Sequence, residues 1–451
     1  MDQTLLFTNS ITAAIEGLVA GMAPATIHVV TDSIVAAKVL PALGWKWPVI
    51  TVPDGDVNKN LESLSAIWRG LIAQEATRRS LVICLGGGVV SDMGGFAAAT
   101  FKRGVRFINV PTTLLSAVDA AVGGKTGINF DGLKNEVGAF APADAVVIST
   151  STFGTLPPSE ITSGYAEMLK HGLLSGPGEF AELLAFDPVA GDPDTLLRLL
   201  EKSVRVKERI VTEDPVEQGI RRALNLGHTA GHAFESLALE RGEHLAHGHA
   251  VAAGIAVELV LSHMLKGFPS AILHQYVDYL RGHGYPVPHF DCDDYPRLLA
   301  LMAHDKKNDT PGAINFTLLT APGSPQIDCI VPTPEITAIA NSPLFPSWKR
   351  GCKPAIAADS APTLSISSPS LLISLLILLM SCCTAYSWLP LTASVDVELT
   401  SPGATLVIVV PPLPPSVILL LSTLPLLSVS YFTAELETVF SWSSVAACPD
   451  T

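Results

Sequence analysis

Leu81-Val82-Ile83-Cys84-Leu85 runs directly into Gly86-Gly87-Gly88-Val89-Val90-Ser91-Asp92, and residues 93–100 follow with helical character and a second glycine pair, Gly94-Gly95. A β-rich run, a glycine turn and a helix, in that order, suit a dinucleotide. Glycines without Cβ let backbone N–H groups approach a pyrophosphate, and the helix N-terminus adds positive partial charge. The pattern is not GxGxxG, and read alone it also fits a tight turn after a buried strand.

Working outward, Thr26-Ile27-His28-Val29-Val30 and Val49-Ile50-Thr51-Val52 are further β-rich runs. Between the second of these and Leu81, the residues Leu61, Leu64, Ile67, Trp68, Leu71 and Ile72 recur at helical spacing. Strand, helix, strand implies a parallel sheet covered by helices, so residues 1–152 are expected to form an α/β nucleotide-binding domain. From Pro157 the β signals thin out. Helical patterns at 160–174 and 196–211 predict a mainly helical second domain over 153–345, with a ligand in the cleft between the two.

The chain has 451 residues and a formal net charge of −14. That balance disfavours nucleic acid as a partner, because the phosphate backbone would be repelled on average. An anionic small substrate would need a locally basic pocket. Within residues 1–345 the three cysteines, Cys84, Cys292 and Cys329, are far apart and form no CxxC pair, which argues against a disulfide framework and a thiolate zinc site there. Any metal must then rest on histidine and carboxylate. The opening Met1-Asp2-Gln3-Thr4 has no basic stretch leading into an apolar run, so a cytoplasmic enzyme is expected.

Residues 346–451 differ in kind. They are rich in Ser, Leu and Pro, and no Lys, Arg or His follows Lys353. The uncharged run 371–389 is long enough to cross a bilayer, and 404–430 is nearly as apolar but broken by Pro411, Pro412, Pro414 and Pro415. One reading is a membrane anchor. The other, favoured by the missing basic flanks, is an extension not native to the enzyme.

Asn225-Leu226-Gly227-His228-Thr229-Ala230-Gly231-His232 places two histidines at i and i+4, on one face of a helix. His244, His247 and His249 follow, and Glu167 stands upstream. Two histidines and a carboxylate form a common catalytic zinc set with open positions for substrate oxygens. Spacing alone points to His228 and His232 as the pair, although an isolated HxxxH also fits hydrogen-bonded core or surface chemistry. Arg103, Lys125, Lys134, Lys170, Lys207, Arg221, Lys306 and Lys307 lie beside glycine turns or helix ends. Each alone reads as a solvated charge, but together in one cleft they would suit a substrate bearing carboxylate and phosphate.

These blocks, with Arg103-Gly104-Val105-Arg106-Phe107, Val110-Pro111-Thr112-Thr113-Leu114-Leu115, Val118-Asp119-Ala120-Ala121-Val122-Gly123-Gly124-Lys125-Thr126 and Asp305-Lys306-Lys307, resemble the 3-dehydroquinate synthase family in order and spacing over about residues 1–345. The resemblance implies NAD and one divalent metal, zinc or cobalt, as cofactors, and a homodimer. It implies that Glu167, His228 and His247 hold the metal and that His232 handles a proton, against the spacing-only pairing. It further implies NAD contacts from Asp32, Asp56, Lys59, Gly87, Gly88, Val89, Asp92, Thr112, Thr113, Lys125, Lys134, Thr152 and Thr155. Substrate would be held by Arg103, Asp119, Lys125, Asn135, Lys170, Lys207, Arg221, Asn225 and Lys306 or Lys307, with Glu217 at a further acid/base position. In one place the chain departs from the family: His247-Gly248-His249-Ala250-Val251 stands where His-Gly-Glu-Ala-Val is usual, so His249 could tune or compete for the metal.

The implied reaction converts 3-deoxy-D-arabino-heptulosonate 7-phosphate to 3-dehydroquinate and phosphate. Oxidation of the ring C5 hydroxyl acidifies the neighbouring C–H, phosphate leaves by β-elimination, hydride returns, the ring opens and an intramolecular aldol closes the carbocycle. Three alternatives stand beside it. One is a cyclase acting on another sugar phosphate; another is an NAD-dependent polyol dehydrogenase of related fold, which would accumulate NADH and need no phosphate-binding lysines. The third is a membrane-tethered non-catalytic relative.

Overall fold

The computed structural model describes residues 3–131, 133–304, 314–338, 405–408 and 419–422, divided into two units, Met1–Pro354 and Ala355–Thr451. The first unit begins β1 (Thr4–Phe7), α1 (Ile11–Met22), β2 (Ile27–Asp32), α2 (Ser33–Lys38), α3 (Leu40–Leu43), β3 (Val49–Val52), α4 (Leu61–Ala73), β4 (Leu81–Gly86) and α5 (Gly88–Thr100). It continues through β5 (Arg106–Pro111), β6 (Lys125–Phe130), β7 (Leu133–Phe140) and β8 (Ala145–Ile148). Six strands form one parallel sheet in the order β1-β8-β5-β4-β2-β3.

Strand β4 shows why the sheet is covered on both sides. Val82 and Cys84 pack into one apolar cluster with Leu64, Ile67 and Leu71 of α4 and Met93 and Ala97 of α5. The alternate residues Leu81, Ile83 and Leu85 pack into another with Ile11 and Ile15 of α1. Period-two alternation with both faces apolar produces the continuous run LVICL that reads as a buried parallel strand.

Helix α5 begins five residues earlier than the pattern 93–100 suggests. Gly87 is its N-cap, so Gly88 and Val89 belong to its first turn rather than to a loop. The β-branched pair Val89-Val90 masks this start in the sequence, since neither favours a helix intrinsically. The alternation of strand and helix also breaks once. β6 and β7 form a separate antiparallel hairpin; β7 is almost wholly exposed and β6 buries three consecutive residues, Thr126, Gly127 and Ile128, so neither strand leaves a period-two pattern to read.

Beyond β8 come α6 (Pro158–Ser175), α7 (Pro177–Leu184), α8 (Pro193–Glu213), α9 (His228–Glu240), α10 (His247–Lys266), α11 (Ser270–Gly282) and α12 (Tyr295–Ala303). The antiparallel pair β9 (Asn315–Ala321) and β10 (Ser324–Ile330) follows, then α13 (Thr333–Ala338). This hairpin is an addition to the mainly helical pattern expected there; Leu319 N–H bonds Ser262 Oγ of α10 at 2.9 Å.

Helix α10 has the length and apolarity to cross a membrane, but 78% of its most apolar stretch is buried within the protein. Ile255, Leu259 and Leu261 there are fully enclosed, each contributing about 1.5–3 kcal/mol by leaving water. In the second unit the described residues are two short antiparallel strands, Thr405–Ile408 and Leu419–Ser422. The run 371–389 lies outside the described residues.

Candidate active site

The sheet topology first collects the residues expected to meet a dinucleotide. β2 and β4 are neighbours, yet the chain leaves β2 toward β3 on one side and returns to β4 on the other. That reversal opens a crevice at the carboxyl ends of these two strands. Thr31 pairs with Leu85, which sets Asp32 level with Gly86 at the rim. Thr112 and Thr113 follow β5, Thr152 and Thr155 lie in the turn after β8, and Asp56 and Lys59 come after β3. Segments far apart in sequence thus share one edge because every strand points the same way.

The glycine turn fits a pyrophosphate. A Cβ on Gly87 would stand 3.1 Å from Thr113 Cγ2, and one on Gly86 would lie 2.5 Å from Val90 Cβ, so the backbone itself lines this edge. Gly87 provides no side-chain cap to α5, whose first turn presents its positive end. Thr112 Oγ1 is buried and has no hydrogen-bond partner among the described residues. Nearby, Lys59 Nζ bonds Asp92 Oδ2 at 2.6 Å and also reaches Asn135 Oδ1, while Lys134 pairs with Asp56 at 3.4 Å. Asp32 caps α2 through Val35 N–H at 2.9 Å. Thr152 and Thr155 Oγ1 donate within their own turn, to Ser149 O and Thr152 O.

Three helices meet at a second cluster. Glu167 projects from the middle of α6, His228 is the first residue of α9 and His247 the first of α10. Glu167 Oε1 lies 3.7 Å from Nε2 of each histidine. His228 Nδ1 bonds Leu226 O at 3.2 Å; a carbonyl can only accept, so Nδ1 carries the proton and Nε2 faces the carboxylate as an acceptor. Glu167 is fully buried, and among the described residues no hydrogen-bond donor reaches its Oε1. A buried carboxylate oxygen without a donor, beside two imidazole nitrogens, fits a cation, and an O,N,N set suits zinc or cobalt.

Among the described residues, metal-capable atoms within 4.8 Å of one another come from Glu167, His228 and His247, and also from Asp119, Glu167 and His171. His232 belongs to neither group, although its ring lies 5.2 Å from that of His228 and 5.9 Å from that of His247. His249 is outside both as well. Its Nε2 pairs with Thr162 Oγ1 at 2.9 Å and its ring meets Tyr285 edge-on, so it is occupied in the helical core rather than competing for a metal.

Glycines permit this meeting of helices. A Cβ on Gly248 would lie 1.8 Å from Ser163 O of α6, and one on Gly254 would lie 2.0 Å from Gly227 O at the start of α9. Backbone contact therefore sets the distance between His247 and Glu167. Gly248→Ala must push the start of α10 away from α6; it is expected to cost about 2 kcal/mol and to weaken zinc binding in calorimetric titration. Unchanged zinc affinity in a folded variant would contradict this account of the spacing.

The basic residues divide into two groups. Lys170, Lys207 and Arg221 are almost fully buried. Lys170 pairs with Glu167 Oε2, and Lys207 Nζ bonds both Asp119 O and Asp119 Oδ1 at 2.6 Å. Arg221 donates to Pro215 O at 2.6 Å and to Gly123 O at 3.4 Å. Burial raises the Asp119 pKa, but Lys207 and Lys170 outweigh it and hold the carboxyl well below its ordinary value. Burial lowers the Lys207 pKa and the Arg221 pKa. Lys125 is half exposed; it pairs with Glu217, whose Oε1 accepts from Asn225 Nδ2 at 3.2 Å. Burial works against ionisation of Glu217, yet Lys125, Asn225 and Arg221 lower its pKa.

Asn135 and Glu217 both have left-handed backbone, at φ 52° and 61°; asparagine enters this region comparatively readily, whereas for glutamate it is uncommon and shows that the surrounding structure imposes it. Asp119 sits in a π-helical turn, Ser116–Ala120. Arg103 stands exposed, and among the described residues no hydrogen bond or ion pair joins it to these groups. Lys306 and Lys307 lie outside the described residues.

Two further groups join the site unannounced by the sequence reading. His171 is buried with Nδ1 on Ser203 Oγ at 2.9 Å; burial and then Lys170 push its pKa well down, keeping the ring neutral. Glu235 faces His247, with Oε2 3.3 Å from Nδ1, and its other oxygen pairs with Lys134. Positions 228, 232 and 235 form an i, i+4, i+7 stripe, a pattern that could have pointed to Glu235.

The fold that carries this crevice and this buried carboxylate with its two imidazoles is shared with sugar-phosphate cyclases. The 2-epi-5-epi-valiolone synthase of Streptomyces hygroscopicus, solved with NAD+ and Zn2+, superposes with TM-score 0.66 at 25% identity, covering 74% of this chain and 95% of that one. A 2-deoxy-scyllo-inosose synthase solved with carbaglucose-6-phosphate, NAD+ and Co2+ shares the fold at TM-score 0.67 and 24% identity, over 74% of this chain and 95% of that one. The 3-dehydroquinate synthase N-terminal and C-terminal family patterns match residues 49–163 and 164–308. The 3-dehydroquinate synthase of Parabacteroides distasonis is 55% identical over 283 residues, 63% of this chain and 80% of that protein. The chain belongs to the 3-dehydroquinate synthase family.

Proposed function

We propose that this chain converts 3-deoxy-D-arabino-heptulosonate 7-phosphate to 3-dehydroquinate and phosphate, the shikimate-pathway step. The observation that carries the reading is the buried Glu167 Oε1 at 3.7 Å from both His228 and His247, within the architecture of its family. Zinc or cobalt held by these three residues would supply Lewis acidity toward a substrate hydroxyl. NAD in the crevice above Gly87 and Gly88 would supply a hydride acceptor regenerated in each turnover.

The chain's own residues do the rest. Lys125, Lys170, Lys207 and Arg221, with Asn225 and Asn135, bind the carboxylate and phosphate and hold the sugar in one orientation through every step. Lys207 keeps Asp119 ionised beside them. Glu217, paired with Lys125 and Asn225, and His232, whose ring meets that of His228 edge-on, hold and pass protons as hydroxyl and carbonyl interchange. Asp32, Asp56, Lys59, Asp92, Lys134 and the threonines 112, 113, 152 and 155 line the dinucleotide's path. The enzyme acts as a cytoplasmic homodimer.

Incubating the full chain with the heptulosonate phosphate, NAD and zinc should release phosphate with no net NADH. Accumulating NADH without phosphate would instead identify a dehydrogenase. Lys125→Ala should reduce kcat/KM for this substrate, which bears both a carboxylate and a phosphate, by about 10- to 100-fold, the worth of one hydrogen bond to a charged group. An unaltered kcat/KM would remove Lys125 from the binding set.

A further inference from the structure

We propose that Glu235 is a positioning residue: it fixes the ring of His247 for the metal and is itself held by Lys134 of the β6–β7 hairpin. The proposal rests on the reading of Glu167, His228 and His247 as metal ligands.

His247 is the first residue of α10, where no preceding turn constrains its ring, and 30% of its side chain is exposed. Something other than packing must choose its tautomer and orientation. Glu235 Oε2 lies 3.3 Å from Nδ1, on the opposite side of the ring from the Nε2 that faces Glu167. A carboxylate can only accept, so this contact places the proton on Nδ1 and leaves Nε2 as a donor of electrons to a cation. The backbone does the same for His228 through Leu226 O. The two imidazoles are thus oriented by different means, one by a carbonyl fixed in the fold and one by a side chain.

Glu235 would be free to choose another rotamer were its second oxygen unpaired. Lys134 takes that oxygen, and Lys134 also lies 3.4 Å from Asp56 beside the dinucleotide crevice. The line Asp56, Lys134, Glu235, His247 therefore runs from the crevice rim to the metal group. Polarisation of an imidazole by an anion behind it raises its basicity as a ligand, and loss of such a partner typically costs 10–100-fold in metal affinity.

The test measures zinc affinity of the apo-protein by competition with a chromogenic chelator, alongside apo-protein melting and with His228→Ala as the reference. Glu235→Gln, which keeps the size and removes the charge, should weaken zinc about 10-fold, and Glu235→Ala up to about 100-fold, with apo melting unchanged. Glu235→Asp should recover part of the loss. Lys134→Met, at a half-exposed hairpin position that can be changed without disturbing the core, should weaken zinc by a smaller factor. Wild-type affinity in both Glu235→Gln and Lys134→Met, while His228→Ala loses zinc, would overturn the proposal and leave the metal reading intact. Undiminished zinc binding in His228→Ala would instead remove the metal reading on which it rests. Should Glu235→Gln fail to fold, Lys134→Met decides alone by the same criterion.

Discussion

His228→Ala is expected to fold normally and to lower phosphate release by roughly 10³-fold, because a bound metal is worth several kcal/mol of charge stabilisation. The substitution leaves Glu167 and His247, and two protein donors fall short of the three that catalytic zinc normally takes. Its structural cost should be small, since His228 begins α9 and that start is secured independently by Gly227 N–H on Glu258 Oε2 at 2.6 Å. The lysines and Arg221 are untouched, so the loss should fall mainly on kcat rather than KM. Metal content after dialysis, measured together with phosphate release, checks the result. Full turnover in a variant shown to hold no metal would discard the site.

How much of this was legible beforehand depended on which forces left a periodic trace. The doubly covered sheet wrote itself plainly, because β4 buries both faces and α4 one stripe. The hairpin β6–β7, which carries Lys125, Lys134 and Asn135, left none, since β7 is almost wholly exposed and β6 buries three residues in a row. Its chemistry could be sensed only as basic residues near glycines.

The metal group shows a different limit. Helical spacing correctly put His228 and His232 on one face, and their rings do touch, but a ligand set is chosen by what stands opposite. Glu167 arrives from α6 and His247 from α10, their approach set by backbone contact at Gly248, while Gly254 sets the approach of α10 to the start of α9 and so to His228. A glycine in a helix signals such an approach without naming the partner. His249 is the converse case. As a residue type it could have bound a metal, but its direction, one position away from Gly248 and turned toward Thr162 and Tyr285, decides otherwise.

Lys170→Met should destabilise the metal-free protein by about 3–5 kcal/mol, the usual result of removing one partner from a buried ion pair. Glu167 and Lys170 are 0% and 1% exposed, one turn apart on α6, and the pair is closed by direct contact. Without the ammonium, the Glu167 carboxylate would face the interior with neither solvent nor donor, and Asp119 would lose one of the two lysines that hold it ionised. A cation bound by Glu167, His228 and His247 would supply the missing positive charge. Saturating zinc should therefore raise the melting temperature of Lys170→Met by more than that of the wild type. Glu167→Gln/Lys170→Met should lose less stability than the two single changes added together, because the second substitution removes the charge the first left stranded. Equal zinc-induced shifts in wild type and variant, with unaltered apo stability, would mean that Lys170 does not neutralise this carboxylate in the fold.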